Sequence, residues 1–238
     1  SPEMIKEFEK SEFAKKLSTN QKYSEVINIV IPAAGEGSRF KSQLWKSPKP
    51  FIDINGKPML QHVIDNISLP NSNIYLILRD NQPDFPKSLT AHSSNTISKL
   101  FINYKTSGTA CTLLHAKEII DNHLPLIIAN SDQIVDFDCK LFVQDAIERN
   151  LDGSILVFKD KFKSSKWSFA KMGKDQFVEK VAEKNPISDL ATVGIYYFKF
   201  GSDFIDGAIE MIKHDDRVNN EFYTCPVYNY LIIKNKKI

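Results

Sequence analysis

Strand and helix patterns alternate through the first part of this sequence. They predict an α/β protein with a Rossmann-like sheet, mixed but mainly parallel and flanked by helices. Two observations carry that prediction. From residue 26 to residue 150, short β-branched runs recur between segments whose apolar residues follow helical spacing. After Gly153 the pattern turns to strand candidates with few helices between them, which predicts mixed or antiparallel strands forming a substrate-binding half.

The elements follow in order. Residues 26–31 form an apolar, β-branched run and read as a buried strand. Residues 51–54 read as a short strand, closed by an Asn55-Gly56 turn. Residues 59–67 carry apolar side chains at Met59, Leu60, Val63, Ile64 and Ile67, which is helical spacing. Residues 74–78 and 100–104 read as strands, 112–122 as a helix, 124–129 as a strand and 139–150 as a helix. In the second half, 154–158, 167–172, 177–182 and 192–198 are strand candidates, followed by helices over 202–213 and 221–233. Ser1-Pro2-Glu3 reads as a tag remnant. Residues 4–17 read as a peripheral helix capping the domain, with a homo-oligomer contact as the alternative. Residues 1–26 are thus an N-terminal extension, and 27–238 a single domain.

Composition narrows the function. A chain of 238 residues can bury a sizeable core. Its net charge of +2 leaves no electrostatic footprint for nucleic acid. Its apolar stretches are too short to span a bilayer, and no signal-peptide pattern opens it. Cys111, Cys139 and Cys225 lie far apart, which argues against a zinc site or disulfide framework and for a reducing cytoplasm.

The first site candidate is Ala33-Ala34-Gly35-Glu36-Gly37-Ser38-Arg39, directly after the first strand. Glycines allow a sharp turn and a close backbone approach, so successive N–H groups can cradle phosphate oxygens. Arg39 adds a planar fork suited to phosphate. Neither a Walker A loop nor a dinucleotide fingerprint is present, since the Gly-Lys-Ser/Thr and the third glycine are missing. Ser47-Pro48-Lys49-Pro50 follows, where two prolines are expected to hold Lys49 in an extended, stiff stretch that returns its charge to the same phosphate site.

With these motifs the chain resembles the sugar-phosphate nucleotidylyltransferases. The family opens on Gly-x-Gly-x-Arg after the first strand, then Pro-Lys, which stand here as Gly35 to Arg39 and Pro48-Lys49. Gly56-Lys57-Pro58-Met59-Leu60, with the residues up to Asp65, is similar to the uridylyltransferase domain that makes UDP-N-acetylglucosamine. Ser107-Gly108-Thr109-Ala110 and the run from Leu126 to Asp132 extend the similarity. The resemblance implies a nucleotide-diphospho-sugar transferase fold, with a nucleotide half over about 27–150 and an acceptor half over about 151–238. It implies NMP transfer from an NTP to a phosphorylated small molecule, with release of pyrophosphate. UTP and N-acetylglucosamine 1-phosphate are the pair it favours.

The resemblance also implies roles. Gly35, Glu36, Gly37 and Ser38 would hold the triphosphate, with Arg39 on the leaving pyrophosphate and Lys49 near the reacting phosphates. Ala33 and Ala34 would offer backbone groups to the base. Asn103 stands where related enzymes carry a base-reading glutamine. Gly108 would let the nucleoside pack closely, beside Thr109. Asp132 would bind Mg²⁺. Glu183 would meet acceptor hydroxyls, Lys184 the acceptor phosphate, Thr192 would stand at the family's asparagine position, and Gly194 would leave room for the acceptor. The family carries a second metal-binding Asp or Asn past the last helix, which this reading assigns to no residue here. Three alternatives stay open: a cytidylyltransferase using CTP and a non-sugar acceptor, a glycosyltransferase using Asp136-Phe137-Asp138 as its metal site, and an inactive binding module. Asp136 and Asp138 alternate with Val135 and Phe137 as a short strand with one wet face would, so both are expected to be solvated.

Overall fold

In the computed structural model, which describes residues 26–35, 47–80, 89–91 and 95–238, β1 (Ile27–Pro32) runs through the middle of an eight-stranded sheet. Its side chains alternate between two cores. Val30 joins one apolar cluster, while Ile27, Ile29 and Ile31 join the other, so both faces of the strand are buried. The peripheral helix expected over residues 4–17 lies outside the described residues.

Two short strands, β2 (Asp53–Ile54) and β3 (Lys57–Pro58), pair through the predicted Asn55-Gly56 turn, where both residues have positive φ. The expected strand over 51–54 is shorter than that, because Lys49–Phe51 form one 3-10 turn first. Helix α1 (Met59–Ile67) has the boundaries read from its spacing. It buries Leu60, Val63, Ile64 and Ile67 against one face of the sheet. β4 (Ser72–Arg79) and β5 (Thr96–Ile102) continue the sheet in parallel.

The expected helix over 112–122 begins earlier and is interrupted. It runs as α2 (Thr109–Leu113), a 3-10 turn Leu114–Ala116 and α3 (Lys117–Ile120). β6 (Leu126–Ala129) then pairs in parallel with β1 on the side away from β4. Helix α4 (Cys139–Glu148) covers the same face as α1.

The second half adds antiparallel strands. They are β7 (Gly153–Lys159), β8 (Ser168–Met172), β9 (Val178–Glu183) and β10 (Leu190–Phe198). β10 pairs with β6, β7 and β8, so the sheet reads β5-β4-β1-β6-β10-β8-β9 with β7 also on β10. Helices α5 (Gly201–Lys213) and α6 (Val227–Ile233) close the other face with Phe204, Met211, Tyr228 and Leu231. The mixed, mainly parallel core with helices on both faces is the predicted class. The last helix starts six residues later than expected, at Val227 rather than Glu221, because Pro226 caps it and disfavours helix before it. Among the described residues no helix is long and apolar enough to cross a membrane.

Candidate active site

The carboxyl ends of β1, β4 and β6 open on one cleft of about 560 Å³, at the edge where α/β sheets bind ligands. Ala34, Gly35, Lys49, Gly108, Thr109, Asp132, Glu183, Lys184, Thr192 and Gly194 all line it. Segments from the whole length of the described chain thus converge on one space.

Its centre is an ion pair between the Lys49 ammonium and the Asp132 carboxylate, residues 83 positions apart in sequence. Lys49 is positioned by its neighbours: Pro48 sets the entry, the Phe51 N–H donates to the Pro48 carbonyl at 2.8 Å, and the Phe51 ring is buried. The segment is stiff as expected, but a 3-10 turn and not an extended stretch holds the lysine, since proline's fixed φ suits both. Asp132 sits in the turn after β6, where the Asn130 N–H donates to the Gly194 carbonyl at 3.0 Å and ties the turn to β10. The two side chains keep 31% and 29% of their surface exposed. A charge pair so placed is open to anionic ligands and adds little to stability.

The other end of the cleft belongs to β9, β10 and the segment before α6. Glu183 ends β9 with 9% of its surface exposed and accepts a hydrogen bond from the Ser168 hydroxyl. Lys184, one residue beyond, has left-handed backbone. Its ammonium donates to the Tyr223 hydroxyl and lies 4.4 Å from the Tyr223 ring centroid. That hydroxyl in turn donates to Glu221 at 2.6 Å. Thr192 and Tyr196 share a hydrogen bond at 3.2 Å on β10. Burial pushes the Tyr196 hydroxyl and the Cys225 thiol well up, so both are neutral at ordinary pH.

Burial also raises the Glu183 carboxyl, while the Ser168 hydroxyl and the Lys184 charge pull it down. A carboxyl raised on folding holds its proton more tightly in the folded state than in the unfolded chain. The linked stability is complete below the ordinary carboxylate range and is lost as pH rises through the raised value. Glu183→Gln should therefore flatten the decline of Tm across that window. Thermal melts from acidic to neutral pH check this, and an unchanged slope in the variant would clear Glu183.

Several expectations change. A side chain at Gly108 would run into the Phe222 backbone, and Gly108 has φ of 109°, so the chain itself demands this glycine. The Ala110 N–H donates to the Phe222 carbonyl at 3.0 Å, which locks that approach. At Gly194, with φ of 81°, a side chain would meet the Asn130 and Gln133 side chains, so the chain itself demands this glycine too. Ala33 is buried with its N–H donating to the Ile77 carbonyl at 2.8 Å, and does not line the cleft. Asn103 is exposed outside it. Asp136 and Asp138 are exposed, as expected, but form no strand: Asp138 caps α4 by accepting from the Lys140 and Leu141 N–H groups at 2.8 and 3.1 Å. The glycosyltransferase alternative loses its acidic pair, which stands outside the cleft. Glu36, Gly37, Ser38 and Arg39 lie outside the described residues.

Sequence reasoning missed Arg79, Lys105, Gln133, Trp167, Glu221 and Tyr223, which also line the cleft. Gln133 adjoins a recognised motif and was within reach of that reading. Glu221 and Tyr223 were hidden by the expectation of a helix there.

Fold and cleft together define an α/β protein with a lysine–aspartate pair in a cleft at the strands' carboxyl edge. The chain belongs to the nucleotidyl transferase family, whose model matches residues 28–227. The bifunctional protein GlmU of Methanocaldococcus jannaschii is 26% identical over 174 residues, 72% of this chain and 40% of that protein. The mannose-1-phosphate guanylyltransferase catalytic subunit beta of Drosophila pseudoobscura pseudoobscura is 26% identical over 187 residues, 76% of this chain and 50% of that one. The chain thus spans about half the length of these curated relatives. Among solved structures, the nucleoside-diphosphate-sugar pyrophosphorylase from Vibrio cholerae RC9 superposes with a TM-score of 0.68 at 25% identity, covering 88% of this chain and 89% of that one. A UDP-glucose pyrophosphorylase complexed with UDP-glucose shares the fold, with a TM-score of 0.71 at 17% identity over 90% and 89% of the two chains. The resemblance to sugar-phosphate nucleotidylyltransferases and the predicted fold class are borne out.

Proposed function

We propose that this chain is a nucleotidyltransferase that joins the NMP unit of an NTP to the phosphate of a small-molecule acceptor. The observation that carries the reading is the Lys49–Asp132 pair at the centre of the cleft, between the glycine-bearing loop after β1 and the Glu183–Lys184 end. In the reaction an acceptor phosphate oxygen forms a bond to the α-phosphorus. The bond from that phosphorus to the bridging oxygen breaks, and the electron pair leaves with pyrophosphate. Both reactants are anions, so most of the work is alignment and charge neutralisation. Lys49 supplies a fixed cation beside the reacting phosphates, and Lys184, held by Tyr223, supplies one for the acceptor phosphate. Arg39 takes the leaving pyrophosphate by family resemblance.

The donor set fits Mg²⁺, which typically takes one or two carboxylates and completes its shell with substrate phosphates and water. Asp132 offers a partly exposed carboxylate, and the buried amide oxygen of the adjacent Gln133 makes no hydrogen bond among the described residues. Asp132 would hold the ion, which when bound screens phosphate charge and polarises the α-phosphate.

For substrates, the motif resemblance favours UTP and N-acetylglucosamine 1-phosphate, forming a nucleotide sugar. CTP with a phosphorylated non-sugar acceptor is the second reading; Asn103, at the position where related enzymes read uracil, lies outside the cleft and gives UTP no support. Either reaction needs the nucleotide pool of the cytoplasm, where we place the protein. Pyrophosphate release from four NTPs against a panel of phosphorylated acceptors tests the reading. Release should require one NTP, one acceptor and Mg²⁺ together; none from any pair would sink it.

A further inference from the structure

We propose that Arg79 reads the base of the nucleotide through an exocyclic carbonyl oxygen, which uracil and cytosine carry and adenine lacks. The inference rests on the nucleotidyltransferase reading and deepens it. The order of strands sets out the cleft. Glu183 and Lys184 follow β9 and Thr192 lies on β10, so the acceptor end lies toward that side of the sheet. Lys49 and Asp132 meet in the middle, Asp132 in the turn after β6. In the product the nucleoside and the acceptor group hang from opposite ends of the new diphosphate, whose reacting phosphorus lies by Lys49 and Asp132. The base therefore falls toward β4 and β5, beyond β1.

Arg79 is the last residue of β4, in register with Ile102 of β5, and lines the cleft there. The Ala33 N–H bond to the Ile77 carbonyl holds the first residue after β1 alongside it. Among the described side chains at this end, Thr106 shares its hydroxyl with Thr112 at 2.6 Å, and Asn103 is outside the cleft. Among the described residues, Arg79 and Lys105 are the charged side chains lining it here. A guanidinium is permanently charged, planar and rich in donors, with no acceptor. It complements the C2 carbonyl oxygen that uracil and cytosine share, an acceptor for which adenine has no counterpart. Lys105, more exposed and on a flexible stem, is a point charge with less directional preference.

Calorimetry on the full chain with Mg²⁺ tests this, using UTP, CTP, ATP and ribose 5-triphosphate, which has no base. Wild type should bind UTP and CTP at least about ten-fold tighter than ATP, the scale of one charge-assisted hydrogen bond. Arg79→Met should lose about that factor for UTP and CTP and leave ribose 5-triphosphate unchanged. Arg79→Lys, which keeps the charge without the fork, should lower the UTP-to-ATP ratio with little loss of ribose 5-triphosphate, and decides the matter if the methionine variant does not fold. An equal loss for ribose 5-triphosphate would put Arg79 on the phosphates and overturn the proposal. So would unchanged affinity for both pyrimidine nucleotides. Failure of every triphosphate to bind wild type would overturn the nucleotidyltransferase reading along with it.

Discussion

Asp132→Asn should abolish pyrophosphate release from NTP plus acceptor at saturating Mg²⁺. The change keeps the size of the side chain and removes its charge, so the turn after β6 should survive. It leaves the proposed ion without its carboxylate and the Lys49 ammonium without its partner. Magnesium depends on carboxylate or phosphate oxygens, and an amide oxygen is a poor replacement. The control is the double change of Asp136 and Asp138 to Asn. Both carboxylates are exposed and outside the cleft, and asparagine at 138 remains a good cap for α4. The double variant should keep most of its turnover and its melting temperature. Turnover measured with a pyrophosphate assay across a Mg²⁺ titration separates the two. An active Asp132→Asn enzyme beside a dead double variant would move the chemistry to the wrong carboxylates and revive the glycosyltransferase reading.

Lys49→Ala should lower kcat by at least about 100-fold, the scale of losing one preorganised charge on a transition state. The fold should hold, because the buried anchor of this turn is Phe51 and the lysine side chain is itself partly exposed. KM for the NTP should change less than kcat, since Lys49 is argued to serve the reacting phosphates and not the base. Lys49→Arg keeps the charge but not the compact point geometry, so partial rescue is expected. Near-normal turnover in the alanine variant would remove Lys49 from the mechanism.

Much of this was legible in the chain because periodicity reports burial. Ile29, Val30 and Ile31 form a continuous apolar run, which is what a strand covered on both faces requires. Helix α1 shows its buried stripe through residues three and four apart, and its observed boundaries match that spacing. The site's charged centre was legible for a different reason. Pro48-Lys49-Pro50 after the glycine-bearing loop, and the run from Leu126 to Asp132, are ordered motifs similar to those of the family, and it was that resemblance which singled out the two side chains.

What only the tertiary structure decided lies between segments distant in sequence. Alternation tells which face of a strand is wet, but not which strand will be its neighbour. The insertion of β10 between β6 and β8 depends on hydrogen bonds across more than sixty intervening residues, such as the Ile195–Ala129 pairing. Gly108 and Gly194 read as room left for ligands, and the fold adds a reason of its own: a side chain would meet the Phe222 backbone at one and the Asn130 and Gln133 side chains at the other. The stretch from Glu221 to Pro226 has apolar residues spaced well enough for a helix. The fold instead draws it across the Ser107–Ala110 turn, where the Phe222 N–H donates to the Ser107 carbonyl at 2.8 Å, and sets Tyr223 on Lys184. Local propensity is worth a few tenths of a kcal/mol per residue, and tertiary hydrogen bonds and burial outweigh it. The sequence by itself thus determined the fold class, α1 and the residues that meet at the charged centre. Packing between remote segments decided the strand order, the reason for each glycine and the partners of Lys184.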